Sequence, residues 1–198
     1  MRHDSCAVTR LDDAVDAAFE PFRGRPSVDR AAALVSNLAD YGLVWVALAA
    51  GKGRRRGPRR RRAVVALGAA GFSSLLVNQA VKSVVDRPRP DLHLQAAVRT
   101  PTSSSFPSGH TLAAFCTAVV LSETDRQAAA YVGFAGAVAA SRVHLRAHHP
   151  TDVLGGAAIG SVLGLSVRPL VHWLMPVPGT GRRSRRGMRS GTRRLNRS

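Results

Sequence analysis

Apolar residues gather into five blocks along the chain, separated by short polar clusters. Residues 31–50, AAALVSNLADYGLVWVALAA, carry a single charge, Asp40, over about the twenty residues that a bilayer requires. Residues 63–81 form an uncharged run that ends at Lys82. Blocks 109–122, 127–144 and 152–174 follow, the last two rich in Ala and Gly. In the final block Gly156, Gly160 and Gly164 recur every four residues, which puts them on one helix face where backbones approach closely. The pattern predicts an all-α integral membrane helical bundle of about five transmembrane helices. Ahead of it, Leu11, Val15, Ala18 and Phe19 fall at helical spacing. They predict an N-terminal amphipathic helix that lies on the membrane surface or packs on the domain.

The expected organisation is a surface segment over residues 1–30, a membrane domain over 31–174 and a disordered Arg-rich tail over 175–198. The first 30 residues hold no basic stretch followed by an apolar core, so no cleaved leader is expected. Cys6 and Cys116 are the two cysteines, and they offer neither a ligand spacing nor a disulfide framework.

A net charge of +17 suggests a nucleic-acid binder until it is located. KGRRRGPRRRR (52–62) and the stretch 182–197 hold eight basic residues each; the remainder of the chain keeps 13 against 12 acidic residues. Basic tracts that flank apolar blocks resist translocation, so both are expected in the cytoplasm, with anionic lipid headgroups rather than nucleic acid as their neighbours. Five spans then put every polar cluster between 82 and 108 and between 142 and 152 on the outer side of the cell membrane. A soluble Ala-rich bundle is the competing architecture.

Three clusters at those outer ends carry candidate chemistry. In KSVVDRPRP, Lys82 is one of only two lysines, and its long stem suits either a ligand or a snorkelling helix end. In PSGH (107–110), Gly109 lets a ligand approach the backbone and Ser108 supplies a hydroxyl. The exposed amides of a starting helix attract anions, although Ser108 also suits an ordinary N-cap. In SRVHLRAHHPTD, Pro150 suits a first helical turn and Asp152 lies four residues beyond His148, where a carboxylate can hold an imidazole's tautomer for nucleophilic attack. His144, His148, His149 and Asp152 also have metal-ligand spacing, but a metal leaves the nearby cations unexplained.

Lys82 with Arg89-Pro90, Pro107-Ser108-Gly109-His110, and Ser141-Arg142 with His148 and Asp152 together resemble the three-part signature of the type 2 phosphatidic acid phosphatase family. The order K-x6-R-P, P-S-G-H, S-R-x5-H-x3-D is matched at every defined position; Arg87-Pro88 is a second Arg-Pro pair that the spacing passes over. The resemblance implies a lipid-phosphate phosphatase, in a family related to vanadium haloperoxidases. It implies that His148 attacks phosphorus and becomes phosphohistidine, with Asp152 orienting it. His110 would serve the leaving alcohol and then water. Lys82, Arg89, Ser108, Gly109 and Arg142 would bind the phosphoryl oxygens, with no metal and no cofactor. The substrate would be a polyprenyl phosphate or diphosphate, a polyprenyl-phosphoryl sugar phosphate, or phosphatidic acid. A vanadate-dependent haloperoxidase and a non-enzymatic basic membrane or nucleic-acid-binding protein are the alternatives.

Overall fold

The computed structural model describes residues 3–40, 45, 58–90, 103–122 and 128–175. All regular structure among them is helical: α1 (His3–Phe19), a short 3-10 turn (Glu20–Phe22), α2 (Pro26–Asp40), α3 (Pro58–Lys82), α4 (Gly109–Leu121), α5 (Ala128–His144) and α6 (Pro150–Leu174). Helices thus cover the last four apolar blocks and residues 31–40 of the first. The Arg tract before residue 58, the tail after 175 and most of 41–50 lie outside the described residues.

Among the described residues two helices are long and apolar enough to cross a membrane, Arg61–Lys82 and Pro150–Leu174. Both present large apolar side chains outward: Val65, Phe72 and Leu76 on α3, and Leu154, Val162, Leu165 and Trp173 on α6 are exposed. An apolar exterior suits hydrocarbon rather than water. The inward faces are built from small residues. Ala114, Ala118, Tyr131, Ala135 and Val138 close around Trp45, whose ring meets Phe134 edge-on at 5.3 Å between centroids. Cys116, Ala66, Ala70 and Val171 form a second cluster.

The glycine stripe decides where the two halves of the signature meet. A Cβ on Gly160 would lie 2.3 Å from the Leu112 carbonyl oxygen. Its neighbours Gly156 and Gly164 would press on the carbonyls of Ser108 and Cys116 at 2.7 and 2.8 Å. The spacing of four therefore runs in step along both helices and locks α6 against α4. The start of α4 is thereby held beside the start of α6, and the Ser108 amide donates to the Asp152 carbonyl at 3.0 Å.

The N-terminal helix packs on the domain, one of the two placements its spacing left open. Val8 and Leu11 are exposed, while Asp12 is 4% exposed. Asp12, Asp16 and Glu20 form an acidic stripe at every fourth position. Arg23 and Arg146 pair with Asp16 and Glu20, and Arg87 pairs with Asp12 at 2.5 Å. Ionic pairing holds α1 in place beside the half-buried Val15 and Phe19. The expected boundary after residue 30 falls inside α2, and α1 packs against α5 and α6.

Candidate active site

The loop from α5 to α6 is shaped by the way α5 ends. The Arg146 amide donates to the Val143 carbonyl and the Ala147 amide to the Arg142 carbonyl, both at 3.0 Å. This is the paired terminal bonding that closes a helix with a left-handed residue, here Arg146 at φ 53° where glycine is usual. Arg23 covers further carbonyls of that terminus, donating to Val143 and His144 at 3.1 and 3.0 Å. Leu145 and Ala147 are fully buried by the reversal. His148 is thus delivered to the top of the bundle on a backbone held from both sides.

A cavity of about 280 Å³ opens there between α2, α3, α4 and the α5–α6 loop. Six of the eight residues singled out from the sequence line it: Lys82, Arg89, Gly109, His110, Arg142 and His148. Ser108 and Asp152 do not. Ser108 is fully buried behind Gly109, where its hydroxyl accepts from Thr111 at 3.0 Å. Asp152 is fully buried at the first turn of α6.

Lys82 and Arg89 are held by neutral acceptors. Lys82 Nζ donates to the Ser104 carbonyl at 2.8 Å. Arg89 donates to the carbonyls of Ala147, Ser104 and Ser103 at 2.9, 3.2 and 3.2 Å. Arg142, wholly buried, donates to the Ser36 hydroxyl. Carbonyls and hydroxyls orient a guanidinium or ammonium without cancelling its charge, so the cavity retains a positive field suited to an anion. Sequence reasoning had no reason to single out Ser36 or the carbonyl of Ser104. Asn78, however, sits one turn before Lys82 and was within reach of it: the amide faces the cavity, 3.1 Å from where a Cβ on Gly109 would stand.

His148 is 3% exposed, and its two ring nitrogens have different surroundings. Nδ1 lies 2.7 Å from the Ser105 carbonyl, which can only accept, so Nδ1 carries the proton. Nε2 then presents its lone pair toward the cavity, with Arg89 Nη1 at 3.2 Å. Burial, followed by the charges of Arg142 and Arg89 and, more weakly, Lys82, pushes the imidazole well below the usual histidine pKa; the Ser105 bond opposes them. The spacing predicted that Asp152 would orient this ring by a hydrogen bond. The carboxylate instead stands 3.9 Å from Nδ1, because Arg87 takes one oxygen at 2.5 Å and the His149 amide takes the other at 2.9 Å. Ser105, absent from the expected set, supplies the orienting acceptor.

The remaining histidines separate. His149 is the N-cap of α6 and does not line the cavity. His144 faces Asp29 of α2 at 2.8 Å and stacks near Phe19, so the four-residue His spacing does not converge on one point. Among the described residues no cluster of His, Cys, Asp or Glu has metal-binding geometry. Of the two Arg-Pro pairs, Arg89 reaches the cavity and Arg87 turns to the acidic residues of α1 and α6.

The chain is similar to known proteins in sequence and in fold. The decaprenylphosphoryl-5-phosphoribose phosphatase of Mycolicibacterium smegmatis is 37% identical over 150 residues, covering 74% of this chain and 82% of that protein. The transmembrane PAP2-type phosphatidylglycerolphosphate phosphatase of Bacillus subtilis superposes with a TM-score of 0.68 at 25% identity, over 85% of this chain and 88% of that one. LpxE of Aquifex aeolicus gives a TM-score of 0.64 at 25% identity, over 79% and 94%. A family profile described as the PAP2 superfamily matches residues 63–176, more than half of the sequence, and the chain belongs to that superfamily.

Proposed function

We propose that the protein is a membrane phosphatase that hydrolyses a lipid-linked phosphate through a phosphohistidine intermediate. The observation that carries this reading is a buried histidine whose Nδ1 proton is held by the Ser105 carbonyl and whose Nε2 faces a cavity lined by Lys82, Arg89 and Arg142. Lys82, Arg89, Arg142 and the Gly109 amide receive the phosphoryl oxygens, and Ser108 supports that helix start from behind. His148 Nε2 attacks phosphorus as the bond to the leaving oxygen breaks, and His110 gives that oxygen a proton. His110 then takes a proton from water, which attacks the phosphohistidine and releases inorganic phosphate. Negative charge spreads over the equatorial oxygens in both steps, so donors already in place lower both barriers. Asp152 contributes its charge from 3.9 Å and anchors the first turn of α6.

The preferred substrate is a polyprenyl-phosphoryl sugar phosphate, following the substrate named for the mycobacterial relative. The membrane setting suits it, because a lipid tail stays in the bilayer while its phosphate enters the cavity. The chain crosses the cell membrane five times, with the site outside and the Arg tracts against anionic headgroups inside. Residues 1–30 act as a brace and 175–198 as a cytoplasmic tail.

The test is phosphate release by detergent-purified protein from a panel of polyprenyl-phosphoryl phosphoribose, polyprenyl diphosphate, phosphatidylglycerophosphate and phosphatidic acid. The first is expected to be turned over fastest, with vanadate as a competitive inhibitor. Release from none of them would overturn the reading, and faster release from a glycerophospholipid would reassign the substrate.

A further inference from the structure

The second Arg-Pro pair is unused by the mechanism above, yet its arginine ties together three side chains beside the site. Arg87 Nη1 donates to Asp152 Oδ1 at 2.5 Å and to the Thr151 hydroxyl at 2.8 Å, and Nη2 donates to Asp12 Oδ2 at 2.5 Å. Asp12 in turn accepts from the Thr151 amide at 2.8 Å and from the Thr151 hydroxyl at 3.0 Å. The Thr151 amide is one of the donors that a helix start leaves without an intrahelical partner. An aspartate from α1, 139 residues away in sequence, therefore caps the first turn of α6.

We infer that Arg87 and Asp12 are positioning residues, a latch from the N-terminal helix that holds the Asp152 carboxylate away from His148 and so keeps the His148 Nδ1 proton on the Ser105 carbonyl. The inference rests on the reading of His148 as the nucleophile. Both carboxylates are nearly solvent-free, with side-chain exposures of 6% for Asp12 and 0% for Asp152, and Arg87 answers both. Without the guanidinium, Asp152 Oδ1 loses its charged partner, and His148 Nδ1, 3.9 Å from Oδ2, becomes its nearest substitute. The ring would then rotate toward the carboxylate, and Nε2 would leave its line of attack. Arg87 does not line the cavity, so phosphate binding by Lys82, Arg89 and Arg142 should be untouched.

The groups facing His148 are Arg142 from α5, Arg89 and the Ser105 carbonyl from the loops, Lys82 from α3, Asp152 from α6, and His110 across the cavity from α4. A carboxylate closing on the ring favours imidazolium. In Arg87→Ala the acid limb of the kcat/KM profile should therefore move to higher pH, a change that loosened packing alone would not produce.

The experiment measures kcat, KM, vanadate inhibition and the pH profile on one lipid phosphate for wild type, Arg87→Ala, Arg87→Lys, Asp12→Asn, Asp152→Asn and Arg87→Ala/Asp152→Asn. Arg87→Ala is expected to lose roughly 10- to 100-fold in kcat, the size typical for a group that orients an active side chain. KM and vanadate inhibition should stay within about threefold, since a group outside the cavity acts on the rate rather than on binding. Arg87→Lys should recover part of the loss, and the double variant should be little worse than Asp152→Asn because both act through one carboxylate. Asp12→Asn keeps the shape and covers the case in which Arg87→Ala does not fold. Additive losses, an unmoved acid limb, or a KM rise that accounts for the whole defect would overturn the latch. An inactive wild type would instead overturn the phosphohistidine reading on which it rests.

Discussion

At the scale of single residues, the environment of His148 makes the sharpest predictions. Burial and the neighbouring cations disfavour its protonated form, so the neutral nucleophile persists as pH falls through the ordinary histidine value of about 6.5. The acid limb assigned to it should lie below that value. Arg89→Ala removes one of those cations, stabilises imidazolium and should move the limb upward, as measured by rate against pH. His148→Ala should abolish turnover while His149→Ala retains most of it, because only His148 faces the cavity. Equal loss in both would put the nucleophile elsewhere. Lys82→Ala and Arg142→Ala should each lose roughly 2 to 4 kcal/mol of transition-state stabilisation, seen in kcat more than in KM. The cavity-lining residues were legible because the phosphoryl group demands cations and a nucleophile at definite spacings. The Ser105 carbonyl was not: any residue offers a carbonyl, so only the path of the backbone identifies it.

At the scale of elements, helix positions followed from where apolar blocks stop, since a run without charge has little choice but to bury or enter lipid. The contact between α4 and α6 was half legible: spacing exposed the small face of α6 but not the partner it meets. Gly160→Ala would drive a methyl against the Leu112 backbone, which has no flexible end to yield. The two helices must part, at a cost of roughly 1 to 3 kcal/mol, and the site spanning their first turns should lose activity as well. Gly68→Ala makes a control, because a Cβ there meets nothing within 4 Å and alanine favours the helix by up to about 1 kcal/mol. Thermal unfolding in detergent should move down for the first and slightly up for the second. The ionic contacts of α1 were not legible: its partners Arg23, Arg87 and Arg146 come from three separate loops, and no local pattern announces them.

At the scale of the whole molecule, the distribution of charge and the direction of the helices argue together for one orientation. α3 and α6 each run 25 residues, about 37 Å at the helical rise and enough to cross a bilayer. α3 ends at Lys82 and α6 begins beside His148, while their other ends carry the Arg-rich sequence; Arg62 near one lies against His172 near the other. Lys82 and His148 therefore lie at the ends of these two helices away from Arg62 and His172. Arg clusters beside a span resist translocation, and the proposed orientation therefore has the catalytic end outside the cell. Single cysteines at Gly57, Val84 and Ser190, in a background without Cys6 and Cys116, test this with an impermeant thiol reagent on intact cells. Val84 follows α3 at the catalytic end and is 85% exposed, so a cysteine there is open to reagent. Only that one should react, and all three should react once the membrane is permeabilised. Reaction at Gly57 with protection at Val84 would reverse the orientation and put phosphate release in the cytoplasm.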